Sequence, residues 1–145
     1  MSGDDNRTKL LRWIAAWNTG DLGQLDEVFA ADSVYHVPPF PDLIGLEAHK
    51  QFITDARQAY PDFHLSLDEV IDAGERTAMR WTWQGTFSGP TAAIPVPPTG
   101  KHGMARGCHV IHWANGKVAE TWHIGDWLGL LQQFGVIPAP EAAPA

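Results

Sequence analysis

A chain of 145 residues, 44% hydrophobic and 19% charged, is sized for one domain with a real core and not for a disordered segment. Its formal charge of -7 and lack of any Lys/Arg cluster argue against nucleic acid and against an anionic membrane surface. A single cysteine, Cys108, excludes an internal disulfide, and no apolar run approaches the roughly 20 residues that cross a bilayer.

The N-terminal stretch "MSGDDNRTKLL" is polar and acidic and lacks an apolar signal core, so a cytoplasmic protein is expected. Leu10, Trp13, Ile14 and Trp17 recur at helical spacing and predict an amphipathic helix over 5–18. "NTGD" breaks it. Asp21 reads as the N-cap of a second helix carrying Leu22, Leu25, Val28 and Phe29 and ending near Ala31. "SVYHV" predicts a short strand, and "PPFPDLIG" a proline-rich loop. Residues 46–59, with Leu46, Phe52, Ile53 and Ala56, predict a third helix stopped by Pro61.

Beyond Pro61 the apolar period changes from helical to two. "FHLSLDEVI" and "RTAMRWTWQGTF" read as strands joined at Ala73-Gly74. "SGPTAAIPVPPTG" is a loop stiffened by four prolines. "KHGMARGCHVIHW" and "KVAETWHIG" follow as strands joined by "ANG". "DWLGLLQQFG" closes as a short helix with Asp126 at its N-cap and Gly135 past its end. Residues 1–137 are expected to form one domain, with 138–145 as a flexible tail. Helices followed by antiparallel strands predict an α+β fold: a curved, mostly antiparallel sheet with three N-terminal helices over an apolar cavity. Seven tryptophans agree with an aromatic-lined interior.

"GCHVIHWANGKVAETWHIGD" places three of seven histidines within twenty residues. Read as a three-residue loop, "ANG" pairs Trp113 with Lys117, Ile111 with Ala119 and His109 with Thr121. His123 then lies diagonally from His109 on the same face, over a floor of Thr121, Ile111 and Ala119. His112 points the other way, beside Val110, Glu120 and Trp122. A two-residue loop would instead set His109 beside Trp122. The three-residue register keeps the histidines from converging on one metal ion, and no carboxylate on the His109 face completes a ligand set. Two imidazoles in a pocket suit proton transfer next to a carbonyl. The alternative is that each only satisfies a polar neighbour in a half-buried sheet.

Over most of its length the chain resembles the SnoaL-like polyketide cyclases, or ester cyclases, of the nuclear-transport-factor-2-like superfold. The segments carrying the resemblance are "AWNTGDLGQLDEVFAADSVYH", "GLEAHKQFITDARQAYPDFHLSLDEVI", "AMRWTWQGTF", "PPTGK" and "GKVAETWHIGDWLGLLQQFG". The resemblance implies a cone-like fold with a deep apolar cavity, no cofactor and no metal. It also implies a small hydrophobic polyketide-like substrate, a homodimer or homotetramer, and a place in antibiotic biosynthesis. Members of the family close rings by intramolecular aldol chemistry, removing a carbon-bound proton and stabilising the enolate within the cavity.

By the same resemblance, His109 matches an active-site histidine, Trp17 an aromatic position at the cavity mouth, and His36 a polar pocket position. The catalytic aspartate of the aldol cyclases falls at His123, an imidazole in place of a carboxylate. Asp126 matches a second aspartate, and its N-cap role is an alternative explanation. The expected catalytic set is therefore His123, His109 and Asp126. Substrate contacts are expected at Trp17, His36, Phe40, Phe52, Trp81, Trp83, Ile111 and Thr121, although Trp81 and Trp83 also suit a core. His112, Glu120 and Trp122 suit a subunit contact. The function expected is a cofactor-free cyclase or isomerase using histidine-assisted proton transfer. Two alternatives stay open: a cavity that acts by shape in a pericyclic or conjugate-addition closure, and a non-enzymatic small-molecule binder.

Overall fold

The structure is a computed structural model, and it describes residues 3–140. Part of the tail expected at 138–145 therefore lies outside the described residues. Helix α1 (Gly3–Thr19) is followed by a 3-10 turn (Leu22–Glu27), β1 (Phe29–His36), the two-residue β2 (Leu43–Ile44) and α2 (Leu46–Ala59). Strands β3 (His64–Asp72), β4 (Arg76–Thr86), β5 (His102–Ala114) and β6 (Lys117–Gly125) lead to the closing α3 (Trp127–Gln133). Six strands form one sheet in the order β2-β1-β6-β5-β4-β3. All neighbours are antiparallel except β1 and β6, which run parallel.

Helix α1 buries the stripe its spacing predicts, with Leu10, Trp13, Ile14 and Trp17 all in the core. Two asparagines tie it to the sheet. Asn6 donates to Asp72 Oδ1 and to the Gly74 carbonyl at 2.9 Å each, fixing its first turn to the β3–β4 hairpin. Asn18 pairs with both backbone groups of Leu65 at 2.8 Å, standing in for a strand at the free edge of β3. Arg57 of α2 donates to the Trp17 and Asn18 carbonyls and so caps the far end of α1.

Two expectations need correction. The helix expected over 22–31 is only a six-residue 3-10 turn, and the Asp21 side chain makes no capping bond. Phe29 belongs to β1 instead, where it pairs with Val118 and is fully buried. Pairing with β6 satisfies these backbone groups and buries the same apolar residues, so it displaces the helix.

The β5–β6 turn is also tighter than expected. Asn115 and Gly116 both adopt positive φ, 52° and 76°, the signature of a two-residue hairpin. Ala114 pairs with Lys117 and Trp113 with Val118; the ladder then slips, so that His112 faces Glu120 and Ala119 becomes an extra residue. This bulge restores the parity that the tight turn would have reversed. His109 therefore lies directly opposite His123, not diagonal to it, and Ile111 pairs with Thr121. The faces remain as expected: His109 and His123 inside, His112 outside against Trp122 at 4.6 Å.

Candidate active site

The inner face of the curved sheet, α1, α2 and α3 enclose a cavity of about 120 Å³. Its walls are aromatic, with Trp17, Phe40, Phe52, Trp81, Trp83 and Trp127 among the lining side chains. Against this apolar surround stand His109, His123, the Tyr35 and Tyr60 hydroxyls and, at the mouth, Asp126. A second chamber of about 540 Å³ adjoins it across Phe40, Phe52, Ala56, Tyr60 and Trp127. Its outer wall is Pro90 to Ala93, part of the proline-rich loop. Ligand pockets usually measure roughly 300–1,000 Å³, a range the inner chamber alone falls short of and the adjoining outer chamber reaches.

Strand parity on β1 sets the polar end of the cavity. Tyr35 pairs with Thr121 and points inward, whereas His36 pairs with Trp122 and points outward. The Tyr35 hydroxyl sits 2.9 Å from His109 Nε2 and 3.1 Å from His123 Nδ1. Trp81 on β4 donates its indole N–H to His109 Nδ1 at 2.7 Å. The indole fits there because two paired glycines lie beneath it. A Cβ on Gly107 would come within 2.6 Å of the Trp81 ring, and one on Gly125 within 2.7 Å of His123 Nε2. Gly125 therefore leaves His123 Nε2 unobstructed, and that nitrogen has no hydrogen-bond partner among the described residues.

Burial governs the charge of this cluster. Desolvation pushes His123 down to about 4 and His49 down to about 3. His109 is held well below the usual histidine range by burial first, then by His123 and His49. Burial raises the Tyr35 phenol far above its ordinary value. All four groups are thus neutral near pH 7. Asp126 is exposed at the mouth, where its Oδ1 accepts the Gly129 N–H at 2.9 Å as the N-cap of α3. Its Oδ2 makes no hydrogen bond among the described residues.

Of the residues expected at the site, Trp17, Phe40, Phe52, Trp81, Trp83, His109, His123 and Asp126 line the inner chamber. Three do not. His36 lies on the opposite face, between Asp42 at 2.9 Å and Glu120 at 2.6 Å, with its ring stacked on Trp122. Ile111 and Thr121 are buried below the floor, where the Thr121 hydroxyl donates to the Val110 carbonyl. The strand alternation that turns His36 outward is the one that turns Tyr35 inward, and it is readable in "SVYHV". His49, from which no signal was drawn, is fully buried against Trp13, Phe29 and Tyr35, with neither ring nitrogen hydrogen-bonded. Its partners come from distant elements, so no local pattern could mark it. Among the described residues, no three His, Cys, Asp or Glu side chains come together as a metal site, and no helix is long and apolar enough to cross a membrane.

The profile of the SnoaL-like polyketide cyclase family matches residues 8–134. The chain belongs to that family. Its fold is shared with TsrD from Streptomyces laurentii, at TM-score 0.85 and 23% identity over 94% of this chain and 99% of that one. IdmH from Streptomyces antibioticus, named for polyketide cyclase activity, aligns at TM-score 0.76 and 25% identity over 90% and 98% of the two chains. AclR from Streptomyces galilaeus aligns at TM-score 0.80 and 23% identity over 97% and 87%, and it is named for a hydroxylase activity. Neighbours given different activity names on one fold leave the reaction to be argued from the site. A search of curated protein sequences returns no match. This SnoaL-like chain thus combines the family fold with an apolar cavity lined by His109 and His123.

Proposed function

We propose that this protein is a cofactor-free cyclase or isomerase that closes a ring in a hydrophobic, polyketide-like molecule by histidine-assisted, aldol-type proton transfer. The observation that carries the reading is the free Nε2 of His123, which faces an otherwise apolar chamber with the Asp126 carboxylate at its mouth. An aldol closure requires a base to take a proton from the carbon beside a carbonyl. The C–H electron pair passes to the carbonyl oxygen as an enolate, and the enolate carbon bonds to a second carbonyl carbon. The resulting alkoxide recovers the proton from the base, so nothing is oxidised or reduced. In the inner lining, His123 Nε2, Asp126 Oδ2 and the Tyr60 hydroxyl carry no hydrogen bond among the described residues; of the three, the imidazole and the carboxylate suit proton transfer, since burial pushes the Tyr60 phenol up to about 12. His109 has both ring nitrogens occupied and is a positioning residue.

The test is incubation with a linear aryl 1,5-diketone ester, following the cyclic ketol by NMR. His123→Ala is expected to lower the closure rate by about 100-fold or more, the usual cost of removing one polar group from a developing oxyanion. Asp126→Asn keeps a capping side chain and removes the base, so it is expected to lose turnover while staying folded. Full turnover in both variants would overturn the proton-transfer reading and leave closure by cavity shape alone. Tight binding of the diketone with no product from the wild type would leave a binding protein.

The family resemblance carries a further expectation, that two or four copies associate with His112, Glu120 and Trp122 at the contact. Sedimentation of the purified chain tests it, and a monomer at micromolar concentration would overturn it.

A further inference from the structure

We infer that His123 meets its substrate as a hydrogen-bond donor through Nε2–H, its tautomer dictated by a one-way relay running from Trp81 through His109 and Tyr35. The inference rests on the proposed cyclase reading for its chemistry, but the relay itself stands on hydrogen-bond arithmetic. An indole nitrogen donates and never accepts. The Trp81 N–H, 2.7 Å from His109 Nδ1, therefore requires that nitrogen to be the bare acceptor. Doubly protonated His109 is excluded, because both of its nitrogens would then be donors.

The single proton of His109 lies on Nε2, where it points at the Tyr35 oxygen 2.9 Å away. Tyr35 receives that bond, so its own O–H is free to donate to His123 Nδ1 at 3.1 Å. His123 Nδ1 thus accepts, and its proton is left on Nε2, the nitrogen beside Gly125 in the cavity lining. The opposite tautomer of His123 would aim two N–H groups at the Tyr35 oxygen and leave the buried Tyr35 hydrogen with no acceptor. That arrangement is disfavoured by on the order of tenfold or more.

Burial reinforces the relay at each link. Among the described residues no carboxylate is hydrogen-bonded to Tyr35, His109 or His49, and burial disfavours the charged forms of all three. Tyr35 is further fixed by the His49 ring stacked on it at 4.6 Å. A neutral imidazole N–H aimed at a carbonyl oxygen stabilises the enolate that forms there without a proton having to cross. The division of labour follows: His123 holds the oxygen on which charge develops, and Asp126 takes and returns the carbon-bound proton. A substrate suited to the site has its reacting carbonyl oxygen at the buried end of the chamber and its acidic C–H toward the mouth.

The experiment is long-range proton–nitrogen NMR of the whole, unliganded protein labelled with nitrogen-15 histidine, at neutral pH. The expected result is His109 and His123 both neutral and both in the Nε2–H form. His123 in the Nδ1–H form, or charged, would overturn the donor assignment whatever the enzyme turns over. The donor tautomer together with no closure of the aryl 1,5-diketone ester would instead sink the cyclase reading and leave the relay standing. Tyr35→Phe removes the hydroxyl that bridges the rings. It is expected to mix the two tautomers of His123 in the same spectrum and to lower kcat about 100-fold with KM little changed. An unaltered His123 tautomer and unaltered kcat in a folded Tyr35→Phe variant would remove Tyr35 from the positioning role.

Discussion

The inner and outer faces of the sheet treat the same side chain in opposite ways. Inside, His109 and His123 sit among indole, phenol and other imidazoles with no carboxylate in contact, and burial holds both in the neutral form. Outside, His36 is held between Asp42 and Glu120, and these two bonds raise its pKa against a small opposing cost of burial. Adjacent positions on one strand, Tyr35 and His36, thus belong to an uncharged relay and to a bridge between carboxylates that favours the protonated ring. Charge state here is set by what the alternation places next to a ring, not by the residue type.

Acid should separate the faces most strongly. His109, His123 and His49 all have folded-state pKa values below the ordinary 6.5, so the unfolded chain binds protons first as pH falls. Their contribution to stability is complete above about pH 6.5 and is lost as the pH drops toward their folded values, about 4 for His123 and about 3 for His49. Each group removes up to about 1.4 kcal/mol per pH unit in that window, so His123 and His49 together approach about 2.5 kcal/mol per unit near pH 5, and His109 adds in the same direction. Urea denaturation at a series of pH values is expected to show this steep decline. A stability flat down to about pH 4 would break the picture of a neutral inner cluster.

A second experiment acts on the inner face alone. His109→Leu takes away the acceptor of the buried Trp81 N–H and one of the two partners of Tyr35. An orphaned buried donor costs about 2 kcal/mol, and the acid sensitivity should shrink because one titrating ring is gone. Equal stability of this variant and the wild type would mean that the Trp81 bond carries no weight.

Smaller effects attach to the mouth. Asp126→Ala removes the side-chain acceptor for Gly129 N–H at the start of α3 and is expected to lower stability by about 1 kcal/mol. Asp126→Asn should be nearly neutral in the same measurement, because asparagine caps about as well as aspartate. The pair of variants separates the structural use of the carboxylate from its proposed chemical use. If both lose stability equally, the cap does not explain the loss.

How far the sequence carried this picture depends on whether a signal was local. Helix α2 and the four long strands follow their apolar periods closely, because glycine and proline punctuate them and each buries one face. The segment 22–31 was ambiguous because Leu22, Leu25, Val28 and Phe29 suit a helix, and only the pairing of Phe29 with Val118 on β6 decides for a strand. The shared face of His109 and His123 was legible, but by a register in which the tight Asn115-Gly116 turn and the bulge at Ala119 compensate one another. No short-range rule marks such a bulge. Tyr35 is the more instructive omission, since β1 alternation alone turns it inward and His36 outward. A match of polar residues between families favoured the histidine over the correct parity.

The outer bridge supplies the weakest prediction and the one with the opposite sign. His36 has a raised pKa, so its contribution is fully present below about pH 6.5 and fades as pH rises through its folded value. The ring is partly exposed, with 23% of its side chain accessible, and its two carboxylate partners are more open still. Solvent screening therefore limits the bridge to under about 1 kcal/mol. His36→Gln is expected to lose that amount near pH 5 and progressively less as the pH rises through the folded pKa, the reverse of the pH sense set by the inner cluster. Raising the salt concentration should narrow the gap near pH 5, since the bridge is screened and the buried relay is not. A difference that persists unchanged at pH 8 and in high salt would show that packing of the ring on Trp122, not charge, is what His36 contributes.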